Sequence, residues 1–187
     1  MSKLIVTEFV TLDGVMEAPG GEPTHPHSGW VGDYMSPEQL RYKLDEVLEA
    51  ESLLIGRVTY EGFSAAWPER EGEFADKMNS MPKYVVSSTL SEPLAWNNST
   101  LIKGDVVEEV GRLKAQDGGP IVVAGSATLV QSLIENDLVD ELRLMVFPVM
   151  IGGGKRPFPE SQLKKPFKPT DTQTFGPGVA VTTYERA

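Results

Sequence analysis

The chain has 187 residues, with 17 Lys+Arg against 27 Asp+Glu, 40% hydrophobic residues and no cysteine. That size suits a single domain spanning 1–187, able to bury a core without disulfide or metal staples, and the absence of cysteine excludes thiolate metal sites and cysteine nucleophiles. A formal charge of -10 argues against nucleic-acid and anionic-membrane partners, both of which need a positive surface.

Residues Lys3 to Thr11 are β-rich, with Leu4, Val6 and Val10 on one side and Ile5 and Phe9 on the other, the pattern of a central strand covered on both faces. This first apolar run, broken by Thr7 and Glu8, is too short for a membrane span or a signal sequence, so a cytoplasmic protein is expected. A Gly/Pro/His-rich loop, Ala18 to Gly32, leads to Ser36-Pro37-Glu38-Gln39, where an N-cap Ser, a Pro at the first helical position and a Gln three residues on open a helix. Its positions Leu40, Leu44, Val47 and Leu48 recur at the helical period and are expected to cover a sheet face.

Ser52 to Ile55 reads as a second strand, and Gly56-Arg57-Val58-Thr59 turns into a helix that should stop before Pro68. Lys83 to Ser87 and Ser99 to Lys103 give two short strands. Asp105-Val106-Val107-Glu108 is a second capping box, ended by the Gly118-Gly119-Pro120 break. Pro120 to Ala124 is an apolar strand, Gly125 to Asn136 a helix, and Asp140 to Ile151 a long strand. Thr170 to Phe175 and Val179 to Glu185 flank Gly176-Pro177-Gly178 as an antiparallel hairpin. The alternation predicts an α/β fold with a mixed, mostly parallel sheet, helices on both faces and a C-terminal antiparallel hairpin.

Several chemistries are excluded by what is missing. No G-x-G-x-x-G follows the first strand and no P-loop occurs; Gly152-Gly153-Gly154-Lys155 lacks the following Ser or Thr. His25 and His27 flank Pro26 without a third ligand at metal-binding spacing, so no metal is expected. Both histidines lie in that one loop, which leaves no Ser/His/Asp triad to argue.

Two strand-to-helix glycine turns remain. After the buried strand Ile121 to Ala124, Gly125 and the small residues Ser126, Ala127 and Thr128, followed by Leu129, open a helix whose first backbone N–H groups are free for an anion. Taken alone, Gly125 reads as a tight turn and Ser126 as an N-cap. Gly56-Arg57-Val58-Thr59 has the same shape and adds a guanidinium suited to a phosphate, while Ser87 and Ser88 place hydroxyls at a strand end. In a doubly covered sheet, ligands sit outside the carboxyl ends of the strands, so the three elements can converge on one anionic dinucleotide.

These segments resemble the dihydrofolate-reductase-like superfamily, and within it the reductase domain of the bacterial bifunctional riboflavin-biosynthesis deaminase-reductase. The resemblance is carried by Thr11-Leu12-Asp13-Gly14, Leu54 to Tyr60, Val85 to Ser88, and Ala124 to Leu129 continued by Leu138 to Leu144 and Pro148 to Gly154. It implies an NADPH site in which Gly56, Arg57 and Thr59 hold phosphates, Ser87 and Ser88 reach the adenosine 2′-phosphate, and Gly125, Ser126, Ala127, Thr128 and Leu129 hold the pyrophosphate. It further implies hydride transfer to a small-molecule substrate, with the ribosylamino-pyrimidine of riboflavin biosynthesis as the named candidate, and a homodimer. Asp13 becomes the candidate polar or proton-donating group beside the nicotinamide, although an Asp-Gly turn after a strand is also ordinary turn chemistry. The chain departs from the riboflavin enzymes in carrying Ala124-Gly125-Ser126 where they commonly have Glu-Gly-Gly, and the helix from Ser36 offers no unambiguous equivalent of the folate-binding carboxylate.

Overall fold

A computed structural model describes residues 1–161 and 164–187. Among the described residues the strands are β1 (Leu4–Thr11), β2 (Ser52–Gly56), β3 (Lys83–Val86), β4 (Ser99–Ile102), β5 (Ile121–Ala124), β6 (Glu141–Phe147), β7 (Phe167–Phe175) and β8 (Val179–Arg186). The helices are α1 (Pro37–Glu49), α2 (Arg57–Ala66), α3 (Glu73–Ser80), α4 (Val106–Ala115) and α5 (Ala127–Glu135). All strands join one sheet in the order β4-β3-β2-β5-β1-β6-β8-β7. Pairing is parallel from β4 through β6 and antiparallel where β8 meets β6 and β7, the mixed sheet anticipated from the element order.

Alternation along the strands builds the two covers. Leu4, Val6, Leu54 and Val123 pack with Val110, Val130 and Leu133 of α4 and α5 on one face. Ile5, Leu53, Ile55 and Val122 pack with Tyr60 and Met78 of α2 and α3 on the other. A third cluster, Trp30, Met145, Phe147, Val179 and Val181, lies on β6 and β8 under the loop before α1.

Helix starts follow their caps: Ser36 Oγ accepts from Gln39 N (3.3 Å) and Asp105 Oδ1 from Glu108 N (3.0 Å). The expected inner face of α1 is corrected. Leu40 is 57% exposed, and the buried positions are Gln39 and Glu46. Leu44, Val47 and Leu48 are half-buried, with Val47 packed on the cluster of Ile5 and Leu53, and a polar network joins this packing because Thr7 of β1 and Arg143 of β6 meet the helix. Lys43 Nζ donates to Thr7 Oγ1 (2.8 Å) and to Glu46, Thr7 Oγ1 donates to Glu46 Oε2 (3.0 Å), and Arg143 joins Glu141 (2.6 Å) to Glu49 (3.2 Å).

Three boundaries also move. The strand expected over Asp140 to Ile151 ends at Phe147, since Pro148 has no N–H to continue a ladder. Helix α3 follows Gly72 and had no counterpart in the sequence pattern. β7 begins at Phe167 and carries Pro169 beside a register shift, tolerated because β7 is an edge strand.

Candidate active site

The parallel strands β3, β2, β5 and β1 are consecutive neighbours, so their carboxyl ends line one edge. Along that edge stand Ser87 and Ser88 after β3, Gly56 and Arg57 after β2, Gly125 and Ser126 after β5, and Asp13 beyond β1. Neighbouring strands lie about 4.8 Å apart, which spreads this row over roughly 14 Å, the scale of a dinucleotide. Helix α2 leaves β2 for one face and α5 leaves β5 for the other, and such a divergence between adjacent parallel strands opens the crevice where ligands bind doubly wound sheets.

The two glycine turns are clasped together. Gly56 N donates to Ser126 Oγ (2.9 Å), and Ser126 N donates to Thr59 Oγ1 (2.9 Å). Gly125 (φ 60°) and Ser126 (φ 61°) are both left-handed, a conformation that favours glycine at the first. A Cβ on Gly125 would stand 2.9 Å from Thr59 Oγ1 and 3.2 Å from its Cγ2. The glycine is therefore required first by the neighbouring turn.

These bonds refine the expected donor set. The N–H groups of Gly56, Gly125 and Ser126 are spent inside the protein, and Ser126 Oγ accepts from Gly56 while making no N-cap bond. Neither α2 nor α5 has a side-chain cap, so the first-turn donors left over belong to Arg57, Val58 and Thr59 and to Ala127, Thr128 and Leu129. The Leu129 side chain is in the core and only its backbone faces this edge. Arg57 is exposed and pairs with Glu61 one turn on (3.0 Å), a contact loose enough to be exchanged for an anion.

After β3, Ser87 is buried, and its Oγ accepts from the backbone of Thr89 (3.1 Å) and Leu90 (3.0 Å). That hydroxyl shapes the turn, and Ser88 is the exposed one. Asp13 accepts from Thr11 Oγ1 (2.5 Å) and from the backbone N–H groups of Gly152 (2.8 Å) and Ile151 (3.4 Å). The Thr11 hydroxyl and those amides hold its carboxyl below the usual range, which makes Asp13 an ionised brace for the glycine-rich loop. The geometry thus favours turn chemistry over proton donation. His25 Nε2 contacts Gly153 O (2.7 Å), and Arg156 donates to Asp13 O, Gly152 O and Gly154 O, so both serve the same loop.

One group at this edge was missed. Glu8 is buried in β1, its Oε2 accepts from Gly125 N (3.1 Å), and its Oε1 is enclosed without a partner. Burial pushes its carboxyl well above the usual range, against the pull of Gly125 and Lys43. A carboxyl thus returns to the glycine turn from the adjacent strand, where position 124 carries none. Its signal in the sequence was an acidic residue inside an otherwise apolar strand.

The model of the RibD C-terminal domain matches residues 2–181. The chain belongs to that family. A relative from Bacillus subtilis (strain 168), the uncharacterized protein YyaP, is 31% identical over 187 residues, covering 97% of this chain and 94% of its own. A second from the same organism, the uncharacterized protein YwjB, is 25% identical over 177 residues, covering 95% and 94%. Among solved structures, a candidate riboflavin biosynthesis protein from Shewanella sp. PV-4 aligns with TM-score 0.77 at 23% identity over 99% of both chains. Dihydrofolate reductase from Enterococcus faecalis, complexed with NADP(H) and RAB-propyl, aligns with TM-score 0.66 at 17% identity over 98% of this chain and 96% of that one. The fold of this RibD C-terminal domain is dihydrofolate-reductase-like, and a reductase-like scaffold is what the family carries.

Proposed function

We propose that the chain is an NADPH-dependent reductase that transfers hydride to a small heterocyclic or carbonyl/imine substrate, with 5-amino-6-(5-phosphoribosylamino)uracil the first candidate. The observation that carries this reading is the clasped pair of uncapped helix starts at the β2/β5 divergence. There, free N–H groups of α2 and α5 face one crevice and suit a pyrophosphate. Arg57 and the exposed Ser88 lie on the β2/β3 side, where a charge and a hydroxyl favour the additional 2′-phosphate. Burial raises the pKa of the Glu8 carboxyl under the Gly125 turn, which lessens the repulsion that an ionised carboxylate there would exert on phosphate.

When bound, NADPH supplies the hydride. The protein's share is position and field: α2 and α5 would fix the phosphates, Asp13 holds the Ile151–Gly152 loop against the end of β1, and Trp30 and Phe147 pack edge to face in the buried cluster beside it. The relatedness to a family named for riboflavin biosynthesis and the fold shared with an NADP(H)-bound reductase support the reading.

Titration with NADPH and NADH tests cofactor use, followed by loss of nicotinamide absorbance with the candidate pyrimidine. Micromolar binding that prefers NADPH, with turnover, is expected; absence of binding to either cofactor rejects the proposal. A second reading, a nucleotide- or ligand-binding protein without turnover, is favoured by the ionised, fully engaged Asp13, and binding without oxidation of NADPH by any pyrimidine or dihydrofolate would select it.

A further inference from the structure

Two observations meet at the Gly125 turn. Glu8 is 5% exposed; its Oε2 accepts from Gly125 N (3.1 Å), and its Oε1 is enclosed without a hydrogen-bond partner. The turn it grips leads straight into α5, whose start carries no side-chain cap. A glutamine would serve Gly125 N equally without a charge, and an enclosed oxygen that no donor meets is costly when ionised. An acid at this place is therefore a functional candidate.

The surroundings fix what that acid responds to. From β5 and α2 the polar groups at the turn are neutral: the Gly125 amide and, one residue on, Thr59 Oγ1, which accepts from Ser126 N (2.9 Å). Arg57 at the start of α2 is paired with Glu61. From α1, Lys43 favours the ionised carboxylate and Glu46 opposes it. Lys43 already bonds Thr7 Oγ1 (2.8 Å) and Glu46, and Arg143 of β6 reaches Glu46 at 3.6 Å. These cations are thus committed to other acceptors. A phosphate at the uncapped helix starts adds negative charge next to the turn that Glu8 holds, in surroundings that screen it little.

We propose that Glu8 is a proton-linked positioning residue for the phosphate site: phosphate binding at the starts of α2 and α5 draws one proton from solvent onto Glu8 Oε1, while Oε2 keeps its bond from Gly125 N. This deepens the reductase reading and rests on it for the identity of the phosphate ligand. Burial already biases the carboxyl toward the protonated form. The linkage is reciprocal: a ligand that binds the protonated protein better is itself bound better when the proton is present. Affinity is then greatest at low pH and falls by up to about tenfold per pH unit above the titration of the free protein.

Calorimetric titration with NADPH from about pH 6 to about pH 9, a range that spans buried carboxyls, in paired buffers of different ionisation enthalpy, counts the protons taken up. Wild type and Glu8→Gln are compared, so that titration of the 2′-phosphate itself cancels. The wild type is expected to take up a fraction of one proton that Glu8→Gln does not, and its affinity should fall across the range by about tenfold or more relative to the variant. A merely structural Glu8 would leave both differences at zero. Equal uptake and equal pH dependence in two proteins that bind NADPH overturn the proposal and leave the reductase reading standing. If neither protein binds NADPH, that reading fails and inorganic pyrophosphate is titrated instead: the same difference in uptake keeps the role of Glu8 at an anion site, and no difference or no binding overturns it. Should Glu8→Gln not fold, the infrared stretch of a protonated, buried carboxyl in the wild type decides at the upper end of the pH range. Its growth on adding NADPH supports the proposal, and an unchanged band overturns it.

Discussion

Single side chains at the β2/β5 crevice make separable predictions. Arg57 contributes little to the fold, because its one ion pair is exposed. Arg57→Ala should leave the denaturation midpoint nearly unchanged and weaken NADPH by about 1.5–3 kcal/mol, tenfold or more. NADH should suffer much less, and equal losses for both cofactors in paired titrations would reject the 2′-phosphate role. Glu8 titrates in the opposite sense from most carboxylates. Because burial raises its folded pKa, the native state keeps a proton that the unfolded chain releases, and stability falls as pH rises from the unfolded value toward the folded one. Glu8→Gln keeps an acceptor for Gly125 N without the proton, so its advantage over wild type in denaturant melts should grow between pH 4 and pH 8. A constant offset across that range would mean that Glu8 is ionised in the native state.

At the scale of elements, the clasp between the starts of α2 and α5 is a single mechanical unit. Gly125→Ala forces a Cβ into Thr59 at a left-handed φ, a conformation that costs about 1–3 kcal/mol before any clash. Thr59→Ala removes the obstacle together with the acceptor for Ser126 N. The two substitutions should therefore be less damaging together than their sum, with coupling of about 0.5–3 kcal/mol in a double-mutant cycle; additive losses would mean that the clash is relieved elsewhere. This same clasp marks where the sequence stopped being informative. Strand–glycine–helix patterns at Gly56 and Gly125, the capping boxes at Ser36 and Asp105 and the closing hairpin are local signals, and they located the sheet edge and the crevice. The bond from Gly56 to Ser126 spans 70 positions and has no local signature. Neither has the choice of inner face on α1, where Thr7 and Arg143 draw Lys43 and Glu46 inward and turn Leu40 out. Gln39 looked like a capping residue by spacing, and its full burial beside Gly176 of the hairpin turn has no local signature either.

For the whole molecule, no helix among the described residues is long and apolar enough to cross a membrane. The sheet ends in β4, four residues long, and in β7, which is exposed, carries Pro169 and shifts register. Both are poor templates for adding another strand. A homodimer, as the resemblance to the riboflavin reductases suggests, would instead cover apolar side chains left outside, and Leu12 (62% exposed) and Met150 (70% exposed) are brought together by Leu12 N bonding to Val149 O. Sedimentation should give a dimer that Met150→Lys shifts toward monomer; a monomeric wild type rejects that arrangement. At the opposite end of β3, Lys83 is 0% exposed, and its Nζ donates to the carbonyls of Asn79, Met81 and Asn97 beneath Trp96, with burial lowering its pKa to about 8. That amine is open to acylation only when reagents can reach it. Under mildly alkaline acylation the surface lysines should modify at once while Lys83 stays intact, and the appearance of label at that one residue would time the opening of the β3–β4 end of the sheet without any engineered probe.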